Sequence, residues 1–598
     1  MAPRSNSGIS ETEVFWSLID KADIKFSKLR DSPIYGRNRT DPDFHKAFKI
    51  YTRLWKMQQE NRQKLVEAGL KRWEIGEIAS RIAQLYYLQY QRTSDSSHLY
   101  ECYMFYEAVL TREYFKDGSS QETGLVKKQL RFLARFLVVC LLLCRREMVV
   151  RLAGQLKSSV DDCRKNFQDI EFKEWKQAVH NIHRFMKADS SFMNMRPLRY
   201  SYFYDTNPVT HPSIVASEKK RTLCNALLCS YHQKEVKFAE VTLDTFRMLQ
   251  CLEWEPCGSF PLPGVPGFGE SAYPNSHLKH RQEIRDPALP SNPQKTILSQ
   301  PLIAQYLLVL ATICEELSPN DILLVYLSAT GKSGKYVSPQ PDTSSMTNVL
   351  KDISTLDIAT EVKHVPDKIS NVSSNKDNCK KRSHECCLWL GSQGNEGASC
   401  LYPCDLIPFT RKPLFLIIDS DVSHSFKAIH GAEKGEPAAL LLSPKSDLAS
   451  FITGSDIAFR HDQNGSLFTI FLTAPLQAFC LLLGVSNSNM DTCDKAEKLL
   501  FSSLNKWDQV LMSSDSLNPV WIQAMGDPFL RRLVLRFVFC RNVLSLLKSS
   551  SSSTVGHSEF IPECLPSLPD SVLPNSPSSL SVIKSLTDFF NLTQRFAL

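Results

Sequence analysis

The chain has 598 residues, 70 lysines and arginines against 63 aspartates and glutamates, a formal net charge of +7 and a hydrophobic fraction of 43%. This ordinary globular composition excludes fibrous, collagen-like and wholly disordered proteins, and the nearly balanced charge argues against the dense basic surface of a dedicated nucleic-acid binder. At about 150 residues per domain, the length predicts roughly three to five domain-sized units.

Cysteine usage and the first residues indicate the compartment. The 18 cysteines fall well below the density of a disulfide-built secreted domain. Several lie inside apolar runs, where thiols behave as small buried hydrophobes; these are Cys140, Cys144, Cys480 and Cys540. The N-terminal stretch lacks an apolar signal region and a cleavage pattern. We therefore expect a reducing compartment, the cytosol or the nucleus.

Two apolar runs bear on whether the chain enters a membrane. Residues 132–144 are too few to span a bilayer and include Arg135. Residues 467–485 carry no charge, but they begin as a β-rich stretch and break at Thr473-Ala474-Pro475 before a helix-like end. This pattern is typical of a buried strand, turn and helix, so we expect no membrane association.

Residues 12 to about 190 predict one helix after another. In the first block, apolar residues recur at helical spacing from Phe15 to Leu29, and Asp31-Ser32-Pro33 ends the helix. Further helical blocks are predicted at about 43–67, 71–93, 97–116, 123–145, 146–164 and 170–188. After a disordered segment at 1–11, we predict an all-α region over 12–254.

Two of these helices, within residues 76–115, resemble a tetratricopeptide-like hairpin. Ala83 and Tyr86 of the first helix are expected to meet Phe105 and Ala108 of the second. A sustained repeat of about 34 residues is not found. An irregular helical bundle with an aromatic core is therefore favoured over a true repeat.

The middle of the chain contains a helix between two irregular stretches. Residues 191–222 lose periodicity, and the next helix is predicted over about 222–253. The segment 255–295 holds eight of the 32 prolines. We predict that it is a Pro-rich linker or a mobile loop.

The second half changes character. After a helix-like segment at 296–317, four uniformly apolar runs are predicted as strands, at 322–328, 414–420, 438–443 and 467–472. Such strands, separated by helix-sized segments, predict a Rossmann-like, mostly parallel α/β domain with both faces of its sheet covered. Helices at about 492–511 and 516–548 close this domain, which is predicted to span 296–548.

Three further segments complete the predicted organisation. The polar, weakly patterned stretch at about 331–385 is expected to be an insertion in the α/β domain, disordered in part. Residues 549–578, rich in serine and proline, are predicted to be a linker. A C-terminal helix is predicted within 579–598.

Gly331-Lys332-Ser333 resembles the end of a phosphate-binding loop. The full pattern requires glycine where Tyr326 stands, and a helix where Val337-Ser338-Pro339 follows. We therefore do not predict nucleotide binding at this segment.

The run Asp419-Ser420-Asp421-Val422-Ser423 follows a hydrophobic strand, where open α/β sheets place their ligands. Oxygens on alternate residues can hold Mg²⁺, as in D-x-S-x-S sites or in phosphatases with D-x-D. Asp421 departs from the first pattern, and partners for the second are not found downstream. We favour a solvated turn that caps a helix. A Mg-dependent hydrolase or a metal-gated binding module using Asp419 and Asp421 is the alternative.

A cysteine-rich stretch offers possible zinc ligands. The set consists of Cys379, His384, Glu385, Cys386, Cys387, Cys400 and Cys404. Adjacent Cys386 and Cys387 fit no standard paired spacing. We favour ordinary thiols in a loop.

The sequence has three basic clusters, of which the first is expected to be the solvated face of an amphipathic helix and the third, in a predicted loop, can be read as a short nuclear import signal. They are Lys127, Lys128, Arg131 and Arg135; Lys219 to Arg221; and Lys380 to Arg382. Neither a G-x-S-x-G elbow nor an H-E-x-x-H helix occurs in the sequence. We therefore predict no catalytic, cofactor-binding or metal-binding residues, and no cofactor.

Six blocks, in order along the chain, resemble the suppressor of cancer cell invasion family. They include GLKRWEIGEIASRIAQLYY and GDPFLRRLVLRFVFC, and they lie at 69–87, 236–256, 322–331, 401–420, 465–479 and 526–540. The likeness runs from about residue 12 to residue 547, with gaps at the Pro-rich linker and at the 331–385 insertion.

This resemblance implies a nuclear transcriptional cofactor without enzymatic activity, with a possible cytoplasmic pool. The family is known as a repressor of the myocardin-related coactivator and serum response factor pair, linked to Rho and formin signalling and to cell migration. It is also implicated as an adaptor in DNA double-strand-break repair. The expected partners are proteins: transcription coactivators, chromatin factors or DNA-repair factors. We expect no sequence-specific nucleic-acid binding, and the resemblance brings no catalytic residues.

Overall fold

The computed structural model describes most of the chain in twelve ranges. They are residues 11–31, 42–116, 123–162, 169–190, 221–252, 292–333, 386–391, 396–432, 438–445, 464–485, 490–548 and 557–598. The predictions of disorder at 1–11, of a linker at 255–295 and of an insertion at 331–385 fall almost wholly outside these ranges.

Helices make up the described chain as far as residue 190. They are α1 (Glu11–Asp31), α2 (Pro42–Glu60), α3 (Arg62–Glu67), α4 (Arg72–Thr93), α5 (Ser96–Thr111), α6 (Thr123–Leu142), α7 (Arg146–Asp162) and α8 (Asp169–Ser190). Successive long helices pack on one another, except that α3 is bypassed and α2 meets α4. The predicted helical blocks are confirmed, and the block at 43–67 is divided at Asn61.

The α4–α5 turn shows why these helices end where they do. Ser94 adopts a left-handed conformation with φ of 53°, and the Asp95 side chain accepts a hydrogen bond from the Ser97 N–H at 2.9 Å, which caps α5. Beyond the turn, the Tyr86 and Phe105 ring centroids lie 5.9 Å apart. The predicted aromatic contact between these two helices is therefore confirmed.

A central sheet organises the remainder. Its strands and those of two smaller sheets, one of two strands (β2-β3) and one of three (β6-β7-β8), are β1 (Thr222–Tyr231), β2 (Lys237–Phe238), β3 (Val241–Thr242), β4 (Gln294–Leu298), β5 (Asp321–Ala329), β6 (Gly331–Ser333), β7 (Cys386–Trp389), β8 (Cys400–Leu401), β9 (Leu414–Asp419), β10 (Ala439–Leu442) and β11 (Glu563–Leu565). The sheet order is β11-β10-β9-β5-β1-β4. Every pair is parallel except β10 with β11, so the predicted mostly parallel sheet is confirmed.

Helices cover both faces of this sheet. They are α9 (Leu243–Leu252), α10 (Ile303–Glu316), α11 (Pro403–Leu406), α12 (Leu467–Thr473), α13 (Pro475–Leu483), α14 (Met490–Met512), α15 (Pro519–Met525), α16 (Pro528–Leu546) and α17 (Pro577–Phe589). Residues such as Leu324 and Ile417 pack towards α9 and α12 to α17. Their strand neighbours Val325 and Leu416 pack towards α10 and α11. Burial on both faces explains why the strands are apolar throughout.

The helix predicted over 222–253 is wrong. Thr222–Tyr231 is instead a central strand, paired with β4 and β5, and the helix begins only at Leu243. A short buried apolar run has no periodicity that separates strand from helix. Residues 222–252 therefore belong to the sheet and its cover, not to the all-α region predicted over 12–254.

The strand predicted at 467–472 is also wrong. Leu467–Thr473 is a buried helix, and Ser466 caps it by accepting a hydrogen bond from the Thr469 N–H at 3.4 Å. Its aromatic and β-branched residues favour a strand, but tertiary packing overrides that weak preference. The helix predicted over 296–317 likewise starts late, at Ile303, because Gln294–Leu298 is the edge strand β4.

The end of the chain is more ordered than predicted. The linker prediction over 549–578 is wrong from residue 557 onward, because Glu563–Leu565 adds an antiparallel edge strand to the sheet. Flanking prolines at 562 and 566 suit such an edge position. The predicted C-terminal helix is present as Pro577–Phe589. The helix predicted over 516–548 is two helices, divided where Asp527 caps α16.

The helices α1 to α8, called here the helical array, contact the β4 edge of the sheet and helix α9. The Lys295 N–H donates to Ser94 Oγ at 2.8 Å, and the Phe185 and Phe246 ring centroids lie 5.1 Å apart.

Among the described helices, none combines the length and the apolar character that a membrane crossing requires. The run 467–485 forms two short helices, α12 and α13, that pack in the core beside the sheet.

Candidate functional site

A row of polar residues crosses the carboxyl edge of the sheet. Ser230 of β1 lies opposite Ser328 of β5, which lies opposite Asp419 of β9. Ser443, directly after β10, extends the row through its backbone hydrogen bond to Ile418. In chain order the parallel strands are arranged 2-1-3-4-5, and the order reverses between β1 and β5. That reversal is where open α/β sheets bind their ligands.

Asp419 lies where the sequence predicts it, but its carboxylate turns into the protein. The side chain is 7% exposed, and its Oδ2 accepts a hydrogen bond from Thr469 Oγ1 at 2.7 Å. The Tyr326 hydroxyl lies 2.7 Å from the same Thr469 oxygen. Burial, together with nearby carboxylates, raises the pKa of Tyr326 well above its ordinary value. This chain of hydrogen bonds holds α12 against the sheet.

The other two oxygens of the predicted metal motif point elsewhere. Asp421 Oδ1 accepts hydrogen bonds from the Gly331 N–H at 2.7 Å and from Ser420 Oγ at 3.0 Å. Ser423 Oγ donates to the Ser443 carbonyl at 2.7 Å. Within the described ranges, no group of three or more His, Cys, Asp and Glu side chains is placed to hold a metal ion. The geometry thus gives the metal alternative no support.

The phosphate-loop likeness at Gly331-Lys332 has a packing explanation. Gly331 and Lys332 start β6, which pairs with β7 rather than leading into a helix. A Cβ on Gly331 would lie 2.3 Å from Val422 Cγ1, so the close approach requires glycine. The Lys332 ammonium lies 3.5 Å from the centroid of the Trp389 ring, a cation–π contact.

Sequence reasoning missed His232 and Glu235, which follow β1 inside the wrongly predicted helix. His232 Nε2 lies 3.0 Å from Ser328 Oγ, and Nδ1 lies 3.0 Å from Thr330 Oγ1. Glu235 accepts a hydrogen bond from the His232 N–H at 2.8 Å, and burial raises its pKa to about 8. Serine and histidine are a nucleophile and base in hydrolases, but Ser328 is 0% exposed and cannot meet a substrate.

A buried ion pair, also missed by the sequence analysis, binds the backbone of residues 464–466, directly before α12. The Arg247 guanidinium lies 3.4 Å from Asp244, and the two side chains are 2% and 4% exposed. Asp244 accepts hydrogen bonds from the Ser466 N–H on both carboxylate oxygens, at 3.0 and 3.1 Å. Burial lowers the pKa of Arg247 to about 10. Gly465 has φ of +77°, and a Cβ there would lie 2.3 Å from Asp244.

Among the remaining candidates, some have structural contacts and others lie outside the described ranges. Cys387 is buried, and its thiol donates to the Lys332 carbonyl at 3.6 Å; the neighbouring Cys400 thiol and burial raise its pKa. Lys127 pairs with Glu171 at 2.7 Å, and Lys128 pairs with Glu77, so acids within the array neutralise these two lysines. Outside the described ranges lie Cys379, His384, Glu385, Lys219, Lys220 and Lys380 to Arg382.

The carboxyl edge of the sheet therefore lies where such folds bind ligands, but most of its polar groups form hydrogen bonds that stabilise the protein itself. The Ser230 hydroxyl of β1 is buried without a hydrogen-bond partner among the described residues. The other groups bind one another and a following loop: Ser328 of β5 bonds to His232, and Asp419 of β9 bonds to Thr469 of α12. They do not converge on a common empty point as catalytic groups do. The arrangement can hold the surface loops in a fixed geometry, which suits recognition of another molecule.

The chain is similar to proteins of one named family. The family model described as Protein SCAI matches residues 17–550. Protein SCAI of Homo sapiens is 34% identical over 566 residues, which cover 93% of this chain and 84% of the human protein, and the mouse protein gives the same values. A Protein SCAI homolog of Dictyostelium discoideum is 28% identical and covers 98% of this chain. No solved structure matches the chain.

Proposed function

This chain belongs to the SCAI protein family, and we propose that it is a non-enzymatic transcriptional cofactor of the corepressor type that acts by binding other proteins. The observation that carries the proposal is the extent of the family match. It runs through both the helical array and the central sheet, so the function implied by the resemblance concerns the whole chain and not one module.

The proposed mechanism is sequestration. A scaffold that binds a transcription coactivator lowers the free coactivator concentration by mass action, without chemical change to either protein. The hydrogen bonds of Ser328 with His232 and of Asp419 with Thr469 support this mechanism, because these side chains are engaged in positioning strands and loops. A stable loop geometry keeps the entropic cost of binding low.

The proposed location is the nucleus, with a possible cytoplasmic pool. Proposed partners are transcription coactivators, chromatin factors or DNA-repair factors, met through protein contacts rather than through sequence-specific nucleic-acid binding. We also propose that the sheet is Rossmann-like in the broad sense of a doubly wound α/β fold, on the basis of its 2-1-3-4-5 order.

Affinity purification from nuclear and cytoplasmic fractions, followed by mass spectrometry, tests the proposal. The tagged chain is expected to recover nuclear proteins of transcription or repair. The matched control is Asp421→Asn, which keeps an acceptor for the Gly331 N–H and is expected to recover the same proteins as the wild type. Recovery of no nuclear or transcriptional partner, with the tagged chain intact and folded, would contradict the proposal.

A further inference from the structure

A second polar feature lies between the end of α16 and the start of α17. It is an open cavity of about 650 Å³, and its lining includes Arg541 and Ser545 of α16 and residues 570, 571 and 573–577. Small-molecule pockets in proteins occupy about 300–1,000 Å³. The cavity is therefore large enough for a small ligand or for one or two residues of a peptide.

Three of the residues that line this cavity each carry a buried polar atom without a hydrogen-bond partner among the described residues. They are Arg541 Nε, Ser545 Oγ and Ser571 Oγ. Arg541 and Ser545 are one helical turn apart, so they lie on the same face of α16. A buried donor without an acceptor costs free energy, and the cost is greatest for a charged group. All three atoms can donate a hydrogen bond, so an acceptor bound in the cavity would satisfy them.

The charge of the cavity favours an anion as that acceptor. The Arg541 side chain carries a positive charge, and Ser576 and Pro577, which open the thirteen-residue helix α17, place the positive end of its dipole at the wall. Asp570 is the one carboxylate among the lining residues, and it is exposed. Water screens the charge of an exposed rim group far more than that of a buried one.

The walls are held in place without using these three atoms. Asn542 Nδ2 donates to the Val572 carbonyl at 3.3 Å and to Ser579 Oγ at 3.0 Å. Ser578 Oγ donates to the Ser571 carbonyl at 2.7 Å. These bonds tie α16, the 570–572 turn and α17 together, so the unpartnered donors stand in a preformed arrangement.

We propose that this cavity binds an oxyanion, a phosphate or carboxylate group, through Arg541, Ser545 and Ser571. Arginine recognises such groups with two parallel N–H donors, and hydroxyls complete the shell. The apolar walls Ile561, Leu573 and Pro574 suit the carbon atoms attached to the anion. This site does not depend on the proposed transcriptional function.

Calorimetric titration of the full chain tests the site at constant ionic strength. The probes are sodium phosphate, the peptides acetyl-Gly-phosphoSer-Gly-amide and acetyl-Gly-Glu-Gly-amide, and the neutral peptide acetyl-Gly-Ser-Gly-amide. We expect saturable binding of at least one oxyanion probe and none of the neutral peptide. Tighter binding of a charged peptide than of phosphate indicates a peptide-borne group, and equal affinities indicate a free anion; both support an oxyanion site.

Arg541→Met is expected to weaken that binding about tenfold or more. Lys584→Met removes an exposed cation from α17 outside the cavity and is expected to leave the affinity unchanged. If Arg541→Met does not fold by circular dichroism, Ser545→Ala replaces it, with a several-fold loss expected. Absence of saturable binding of every oxyanion probe by the wild type, or equal binding by a folded cavity variant, overturns the proposal.

Discussion

Substitution of Asp244 by alanine should strongly destabilise the contact between α9 and α12. Asp244 is the buried counter-charge of Arg247 at 3.4 Å, and its two oxygens accept hydrogen bonds from the Ser466 N–H that starts α12. The substitution leaves the guanidinium buried without its carboxylate and leaves the buried Ser466 N–H without its acceptor.

The expected magnitude follows from these contacts. Removal of one partner of a buried ion pair costs about 3–5 kcal/mol, and a buried N–H left without its acceptor costs about 1–3 kcal/mol. Arg247 retains its bond to the Asn464 carbonyl at 2.5 Å, which offsets part of the loss. We therefore expect Asp244→Ala to lower the free energy of unfolding by about 3 kcal/mol. Asp244→Asn keeps an acceptor for Ser466, so it should cost less than alanine.

Urea unfolding of the full chain, followed by circular dichroism, measures this change, and hydrogen exchange of residues 467–473 localises it. The double variant Asp244→Ala with Arg247→Met removes both charges, so it should cost less than Asp244→Ala alone. A loss below about 1 kcal/mol for Asp244→Ala would refute the argument from the buried pair. A double variant as unstable as the sum of the two single variants would refute it equally.

Two further substitutions test the carboxyl edge. Burial raises the pKa of Glu235 from 4.5 to about 8, so the folded state binds this proton more tightly than the unfolded state and stability falls as pH rises through that window. In Glu235→Gln the loss of unfolding free energy between pH 5 and pH 8.5 should be smaller than in the wild type by about 1–3 kcal/mol. Urea unfolding midpoints at the two pH values measure this loss, and an equal loss in variant and wild type would contradict the raised pKa of Glu235. Gly331→Ala places a Cβ 2.3 Å from Val422 and should lower the free energy of unfolding by about 1–3 kcal/mol. The control Gly154→Ala lies at an exposed helix position with open space around it and should raise the free energy of unfolding by about 0.5–1 kcal/mol. Thermal melting measures both variants, and melting temperatures that shift in the same direction would contradict the packing argument.

The helical array could be predicted from the sequence because each helix carries its own signal. Apolar stripes at helical spacing mark α1 to α8, and polar breakers mark their ends. The strands β5, β9 and β10 were predictable because they are uniformly apolar and lie between segments of different character. Their position in the middle of a parallel sheet explains that uniformity.

The missed elements lack such local signals. β1 begins without a turn residue that would separate it from a helix, and the pairing that makes it a strand comes from β4 and β5 far along the chain. α12 has strand-like composition and becomes a helix where Ser466 and Asp244 cap it. The cap joins residues separated by 222 positions, which no local pattern records.

The candidate site was predictable only in part for the same reason. The sequence placed Asp419 and Asp421 at the carboxyl end of a strand, and the structure confirms that placement. It could not show that the two carboxylates turn to different partners, Thr469 and Gly331. His232 gave no signal, because its partners Ser328 and Thr330 lie about a hundred positions away.

The central claim, action by stoichiometric protein binding, is tested most directly by a transcription reporter titrated with the chain. A coactivator-driven reporter is measured in cells at increasing amounts of the full chain, with coactivator and chain quantified together. Sequestration predicts that repression follows the molar ratio of chain to coactivator and that Asp421→Asn represses as well as the wild type. Full repression at a small fraction of one chain per coactivator, or no repression at any ratio, would contradict the account.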